Sequence, residues 1–202
     1  FIAYLCLSIQ GFAFLTWIVE FFVRIHGWTR TEIGLTYGSI ALIVGIMGSI
    51  GAGYYAGYWL AKGRADAPMR LAFYGTIGLG PLAVIMPLVS SDWLAIAIII
   101  PITFFMAMPP GLSNAALQAI SPNRLRGQMI AVYLICVSFL SYLFAPLIIG
   151  LMNDYVFGRE DAIGWSLSSL AVVNYAIAAV CLYLCLDPLK DAVSRVSEFS
   201  ED

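Results

Sequence analysis

The sequence is short of charge. Only 11% of its residues are Asp, Glu, Lys or Arg, while 61% are hydrophobic; a soluble domain carries about one quarter charged residues. A soluble chain of 202 residues could not hide so much apolar surface, so the composition points to a chain embedded in lipid. Histidine is nearly absent. His26 stands alone, which leaves no H-x-x-x-H pair for metal-dependent chemistry. No C-x-x-C motif occurs either: Cys6, Cys136, Cys181 and Cys185 sit in apolar runs and read as small buried hydrophobes. The chain has no basic run interleaved with aromatics, so nucleic acid is not an expected partner. Neither a metal nor an organic cofactor is expected. The formal net charge of −2 says little, because the placement of charge matters more than its sum.

What is present is a succession of long apolar segments. The opening stretch "FIAYLCLSIQ" is already hydrophobic, without an initiator Met or the basic stretch of a signal peptide. Such a start predicts a preceding segment. Six runs are long enough to cross about 30 Å of hydrocarbon: residues 2–25, 33–61, 69–90, 93–119, 128–152 and 163–186. Residues 1–186 are therefore expected to form one six-helix transmembrane bundle, followed by a polar cytoplasmic tail at 187–202.

Orientation follows from Lys and Arg placement. The loops after spans two and four, with the tail, carry Lys62, Arg64, Arg70, Arg124, Arg126, Lys190 and Arg195; the other side has Arg24, Arg30 and Arg159. This excess places the even loops and the C-terminus in the cytoplasm. Arg124 and Arg126, in "SPNRLRGQ", are then topology determinants.

Some helix faces are unusual. On span one, Gln10, Ala13, Trp17, Glu20 and Arg24 fall within an arc of about 80° at helical spacing. A polar stripe in a membrane helix is expected to face a bundle interior or a water-filled cavity. Glu20 has two readings: an i, i+4 ion pair with Arg24 near the interface, or a protonatable, substrate-contacting carboxylate. His26 reads as an interfacial residue. Span two carries a small-residue stripe (Gly34, Gly38, Ala41, Gly45, Gly48, Ser49, Ala52, Ala56) suited to close helix packing or sliding. In span four, Pro109, Pro110 and Gly111 interrupt the helix. They mark either a hinge beside a cavity or a static kink whose freed carbonyls are bonded by neighbours. Met106, Asn114 and Gln118 join Gln10, Trp17 and Glu20 as candidate cavity-lining residues. Span five has a weaker polar side at Ser138, Ser141 and Tyr142, and spans three and six look peripheral.

The stretch "GLSN", Gly111 to Asn114, is similar to the serine turn of rhomboid-type intramembrane proteases. That chemistry needs a histidine at matching depth, and His26 is predicted at the opposite side of the membrane from Ser113. An enzyme is not expected. Six helices dividing three plus three, with polar stripes on the first helix of each triplet, match the nested repeats of a transporter half.

Longer stretches carry a family resemblance. "SPNRLRGQMIAVYLICVSFLSYLFAPLIIGLMNDYVFG", Ser121 to Gly158, resembles the TM10–TM11 region of bacterial spinster-like major facilitator proteins. "FFVRIHGWTRTEIGLTYG", Phe21 to Gly38, is similar to their TM7–TM8 junction. Both align the six spans with TM7 to TM12. The resemblance implies an all-α membrane fold forming the C-terminal half of a major facilitator transporter, with the N-terminal six-helix half as its missing partner. It implies a bacterial inner-membrane protein working by proton-coupled alternating access on an amphipathic, lipid-like substrate. Transport of an organic anion or sugar acid by the same superfamily is one alternative; a non-transporting receptor or scaffold is another. The resemblance also places Arg124 and Arg126 at a cytoplasmic gate where the halves meet. One departure stands out. "GYWLAKGR" has Lys62 where the family often has an Asp, which argues against a carboxylate-centred latch at that loop.

Overall fold

The computed structural model describes residues 1–64, 66–121, 125–158 and 162–198. Its helices are α1 (Ile2–Ile25), α2 (Arg30–Ala61), α3 (Ala67–Ile85), α4 (Asp92–Met106), α5 (Pro109–Ile120), α6 (Arg126–Leu151) and α7 (Ile163–Glu198). A 3-10 turn, Met86–Leu88, extends α3, and a π-helical segment, Met152–Phe157, extends α6. With α4 and α5 taken together as one broken span, six segments among the described residues are long and apolar enough to cross a membrane.

Local chemistry sets the ends. At the end of α1, Gly27 adopts φ +71°, a left-handed conformation that only glycine enters cheaply. The Trp28 N–H then turns back onto the Phe22 carbonyl at 3.2 Å. α2 opens on a capping box: the Thr29 hydroxyl accepts from the Glu32 N–H, and the Glu32 carboxylate accepts from the Thr29 N–H at 2.9 Å. α7 does not stop where the apolar run ends. It continues through Pro188 to Glu198, so the first part of the polar tail is helical.

The packing reveals the internal repeat. α1 lies chiefly against α6 and α7; in the second triplet, α4 and α5 lie against α2 and α3. The two third helices, α3 and α7, pack along one another most extensively of all. First against second, first against third, and third against third is the pattern two exchanged three-helix units make. The all-α, three-plus-three architecture expected from the sequence is present.

Burial within this chain is uneven among the spans. The α3 span is the most covered of the six, and the α2 span is the least. The reason is side-chain size. Ala72, Gly75, Thr76, Leu79, Gly80 and Ala83 are the buried face of α3. A Cβ at Gly80 would lie 3.5 Å from the Tyr175 Cβ of α7, and one at Gly75 would lie 3.7 Å from the Met108 sulfur. Few polar groups were needed there, because small residues alone let the backbones approach.

The small-residue stripe of α2 divides into two parts. A Cβ at Gly48 would collide with the Phe104 carbonyl of α4, and Ala52 and Ala56 are buried. Gly34 and Gly38, nearer the helix start, face open space in this chain.

A candidate substrate cavity at the broken helix

Span four breaks at Ala107 and Met108, with Pro109 and Pro110 opening α5. Proline suits that position because the first N–H groups of a helix have no intrahelical partner. The break exposes backbone carbonyls, and a neighbouring helix takes one: the Ser49 hydroxyl of α2 donates to the Ala107 carbonyl at 3.2 Å. On the other side, the Ser113 hydroxyl donates to the Pro110 carbonyl at 3.1 Å. Pro109 is buried, whereas Pro110 and Gly111 are exposed.

A cavity of about 320 Å³ opens where this break meets α1 and α6. Its wall is formed by Tyr4, Ser8, Gly11, Phe12 and Leu15 of α1 and by Leu134, Val137 and Ser138 of α6, with Met106, Pro109 and Pro110 at the break. Gly11 brings α1 close, since a Cβ there would stand 3.5 Å from the Met106 methyl. Phe12 and Tyr142 hold the rim, ring centroids 4.4 Å apart. No charged side chain among the described residues lines this cavity. Its polar groups are hydroxyls.

Of the cavity residues expected from the sequence, Met106 stands on this wall. Gln10 does not. It is buried and accepts a hydrogen bond from Asn174 of α7 at 3.4 Å. Trp17 packs against the hydrophobic core, its indole N–H buried without a partner in this chain. Glu20 lies near the far end of α1, accepting from Arg24 Nε at 2.7 Å and from Arg30 at 3.3 Å. Asn114 is half-buried with a buried, unpartnered Oδ1, and Gln118 is exposed; neither lines the cavity. At 100° per residue, Tyr4, Ser8, Gly11 and Leu15 point about 180° away from the Gln10–Glu20 stripe. The physical reason is satisfaction of polarity. The strongest polar groups of α1 find partners within the bundle, and the cavity is left with the opposite, amphipathic side. The signal that could have found it was the spacing of Tyr4, Ser8 and Gly11.

Tyr4 and Tyr133 stack at the basic end of the cavity, centroids 5.6 Å apart and rings 23° from parallel. Both tyrosines share the wall of a second cavity with Ser113, and Tyr4 and Ser8 stand together on the wall of the first. Sequence reasoning gave neither Tyr133 nor Ser113 this place.

A family model for the Major Facilitator Superfamily matches residues 1–146. The chain belongs to the major facilitator superfamily. Members of that superfamily are transporters rather than enzymes, and the chain is an integral membrane protein. No curated protein and no solved structure matches it significantly.

The superfamily assignment agrees with the fate of the two residues considered for serine chemistry. Ser113 shares a cavity wall with Tyr4, near the start of α1, while His26 caps its end, about 33 Å from Tyr4 by helix rise. His26 is engaged elsewhere: its Nδ1 lies 2.6 Å from Asp92 Oδ1, and the Trp28 indole donates to Asp92 Oδ2 at 3.0 Å. The His26 side chain is buried against Phe21 and Phe22.

At the basic end, Arg126 occupies the first position of α6 with its Nε buried and without a hydrogen-bond partner. Arg124 lies outside the described residues. The loop around Lys62 does hold a carboxylate. Asp66, missed in the sequence, is buried and paired with Arg70 at 2.7 Å. Lys62 itself stands over the Tyr58 ring, 4.3 Å from its centroid.

Proposed function

We propose that this chain is the C-terminal six-helix half of a spinster-like secondary transporter, and that it moves an amphipathic, lipid-like substrate by alternating access. The observation that carries this reading is the lining of the cavity: apolar and aromatic surface with hydroxyl groups and no charge. An organic anion or sugar acid would find no cationic partner on the walls this chain supplies. An apolar tail with an uncharged hydrogen-bonding group would be matched along its length.

The mechanism assigns each feature a task. Pro109, Pro110 and Gly111 give span four a joint at cavity depth, about which α5 moves relative to α4. Glu20 carries proton coupling in this reading. It bridges Arg24 on its own helix to Arg30 at the start of α2, so protonation would release both arginines and loosen α1 from α2. The basic end faces the cytoplasm of a bacterial inner membrane, with Arg124 and Arg126 at the gate.

The test is uptake into proteoliposomes. The complete two-half protein takes up a fluorescent single-chain neutral amphipath saturably, and a pH gradient stimulates that uptake. Residues 1–202 alone show none. Absence of saturable uptake by the complete protein removes the transport reading and leaves a receptor or scaffold.

A further inference from the structure

A second cavity, of about 450 Å³, lies behind the first, between α1, α3, α5 and α7 at the basic end. Leu7, Met69, Ala72, Ala116, Leu182 and Cys185 contribute to its wall. Among the described residues, its hydroxyl groups are those of Tyr4, Ser113 and Tyr133, the two tyrosine rings being stacked. No described residue lining it is charged. Tyr4, Leu7 and Pro109 belong to both cavities, so the two spaces adjoin at the stacked Tyr4–Tyr133 pair.

We propose that the second cavity holds the hydrocarbon tail of the transported amphipath, with the Tyr4–Ser113–Tyr133 hydroxyls binding the uncharged polar group beside that tail. This rests on the amphipathic-substrate reading and specifies where the substrate lies. Three observations meet in it. The cavity's size falls at the low end of the roughly 300–1,000 Å³ of small-molecule sites, room for one chain rather than two. Its polarity is confined to one cluster, the distribution a single-chain amphipath presents. That cluster sits at the junction with the first cavity, so a headgroup in the first and a tail in the second would pass between them at Tyr4. Ser113 already donates to the Pro110 carbonyl, which leaves its oxygen as an acceptor for a ligand hydroxyl. The same hydrogen bond ties the cluster to the α4–α5 break, so a ligand at Ser113 bears directly on the joint.

The experiment uses the complete transporter in nanodiscs and a sixteen-carbon 1-monoacylglycerol bearing a diazirine at the end of its tail. After photolysis, adducts are expected on α7 between Cys181 and Cys185 or on Ala116 and Leu117. Excess unlabelled sixteen-carbon monoacylglycerol should displace them, and diacyl phosphatidylcholine should not. Ala116→Trp fills the cavity, and loss of two buried methylenes lowers affinity by roughly tenfold. That variant should therefore weaken binding of the sixteen-carbon ligand more than binding of an eight-carbon monoacylglycerol. Adducts confined to Leu134 and Ser138, with intact displacement, would overturn the tail placement and leave the amphipath reading standing. Adducts displaced only by phosphatidylcholine would assign the cavity to a bilayer lipid and also overturn it. No displaceable adduct together with no saturable uptake would overturn both. The wild-type labelling pattern decides the matter even if Ala116→Trp does not fold.

Discussion

His26 Nδ1 lies 2.6 Å from Asp92 Oδ1 and thereby joins the end of α1 to the first residue of α4. These are the first helices of the two triplets, and both reach the cavity. Removing the imidazole also strips contacts from Phe21 and Phe22. His26→Ala is expected to destabilise the protein by about 2 kcal/mol. Asp92→Asn should add little once His26 is gone, because the pair acts as a unit. Thermal unfolding of the single and double variants in detergent checks this; strictly additive losses would show that the pair is not coupled.

Gly48 and Gly38 lie on the same stripe of α2 and should respond oppositely to alanine. A Cβ at Gly48 meets the Phe104 carbonyl, whereas at Gly38 it meets open space. Gly48→Ala is expected to cost about 1–3 kcal/mol through overpacking. Gly38→Ala should be neutral or stabilising by up to about 1 kcal/mol, the ordinary helix gain over glycine. Melting temperatures of the two purified variants give the comparison.

Gln10 and Asn174 form a buried polar pair between α1 and α7. Replacing Asn174 by Leu strands the Gln10 amide and should cost about 1 kcal/mol. Adding Gln10→Leu should recover most of that loss. Transport KM should stay unchanged in the double variant, since neither residue stands on the cavity wall. A large rise in KM would instead return Gln10 to the substrate path.

Glu20→Gln keeps the shape of the side chain and removes its charge toward Arg24 and Arg30. If Glu20 carries the coupling proton, uptake by the complete protein loses its stimulation by a pH gradient, while exchange of labelled for unlabelled substrate continues. Measuring both activities across pH separates this from a structural ion pair, for which the pH profile would not move.

Replacing Pro109 and Pro110 by Ala restores two backbone N–H donors across the break between α4 and α5. The joint should stiffen. Transport rate is expected to fall about tenfold, with substrate affinity largely kept, as for a change in a conformational step. Equal loss of rate and affinity would point to a cavity of altered shape instead.

How much of this was legible in the sequence differs from element to element. Hydropathy and the scarcity of charge determined the six spans, because a bilayer leaves an apolar helix no other way to satisfy its backbone. The prolines at 109 and 110 marked the break, since a missing N–H acts locally. The glycines and alanines of α2 marked a packing face, half of which closes on α4. The cavity was not legible. The polar stripe of α1 announced groups that avoid lipid, and several structural solutions meet that demand equally. Asn174, 164 residues away in sequence, takes Gln10 into the bundle interior, and Arg30 joins Glu20 at the far end. Only the docking of α7 and α2 on α1 decided that the stripe faces inward and that Tyr4, Ser8 and Gly11 face the cavity. The helix period states which residues share a side; which side meets ligand depends on what packs against the other one.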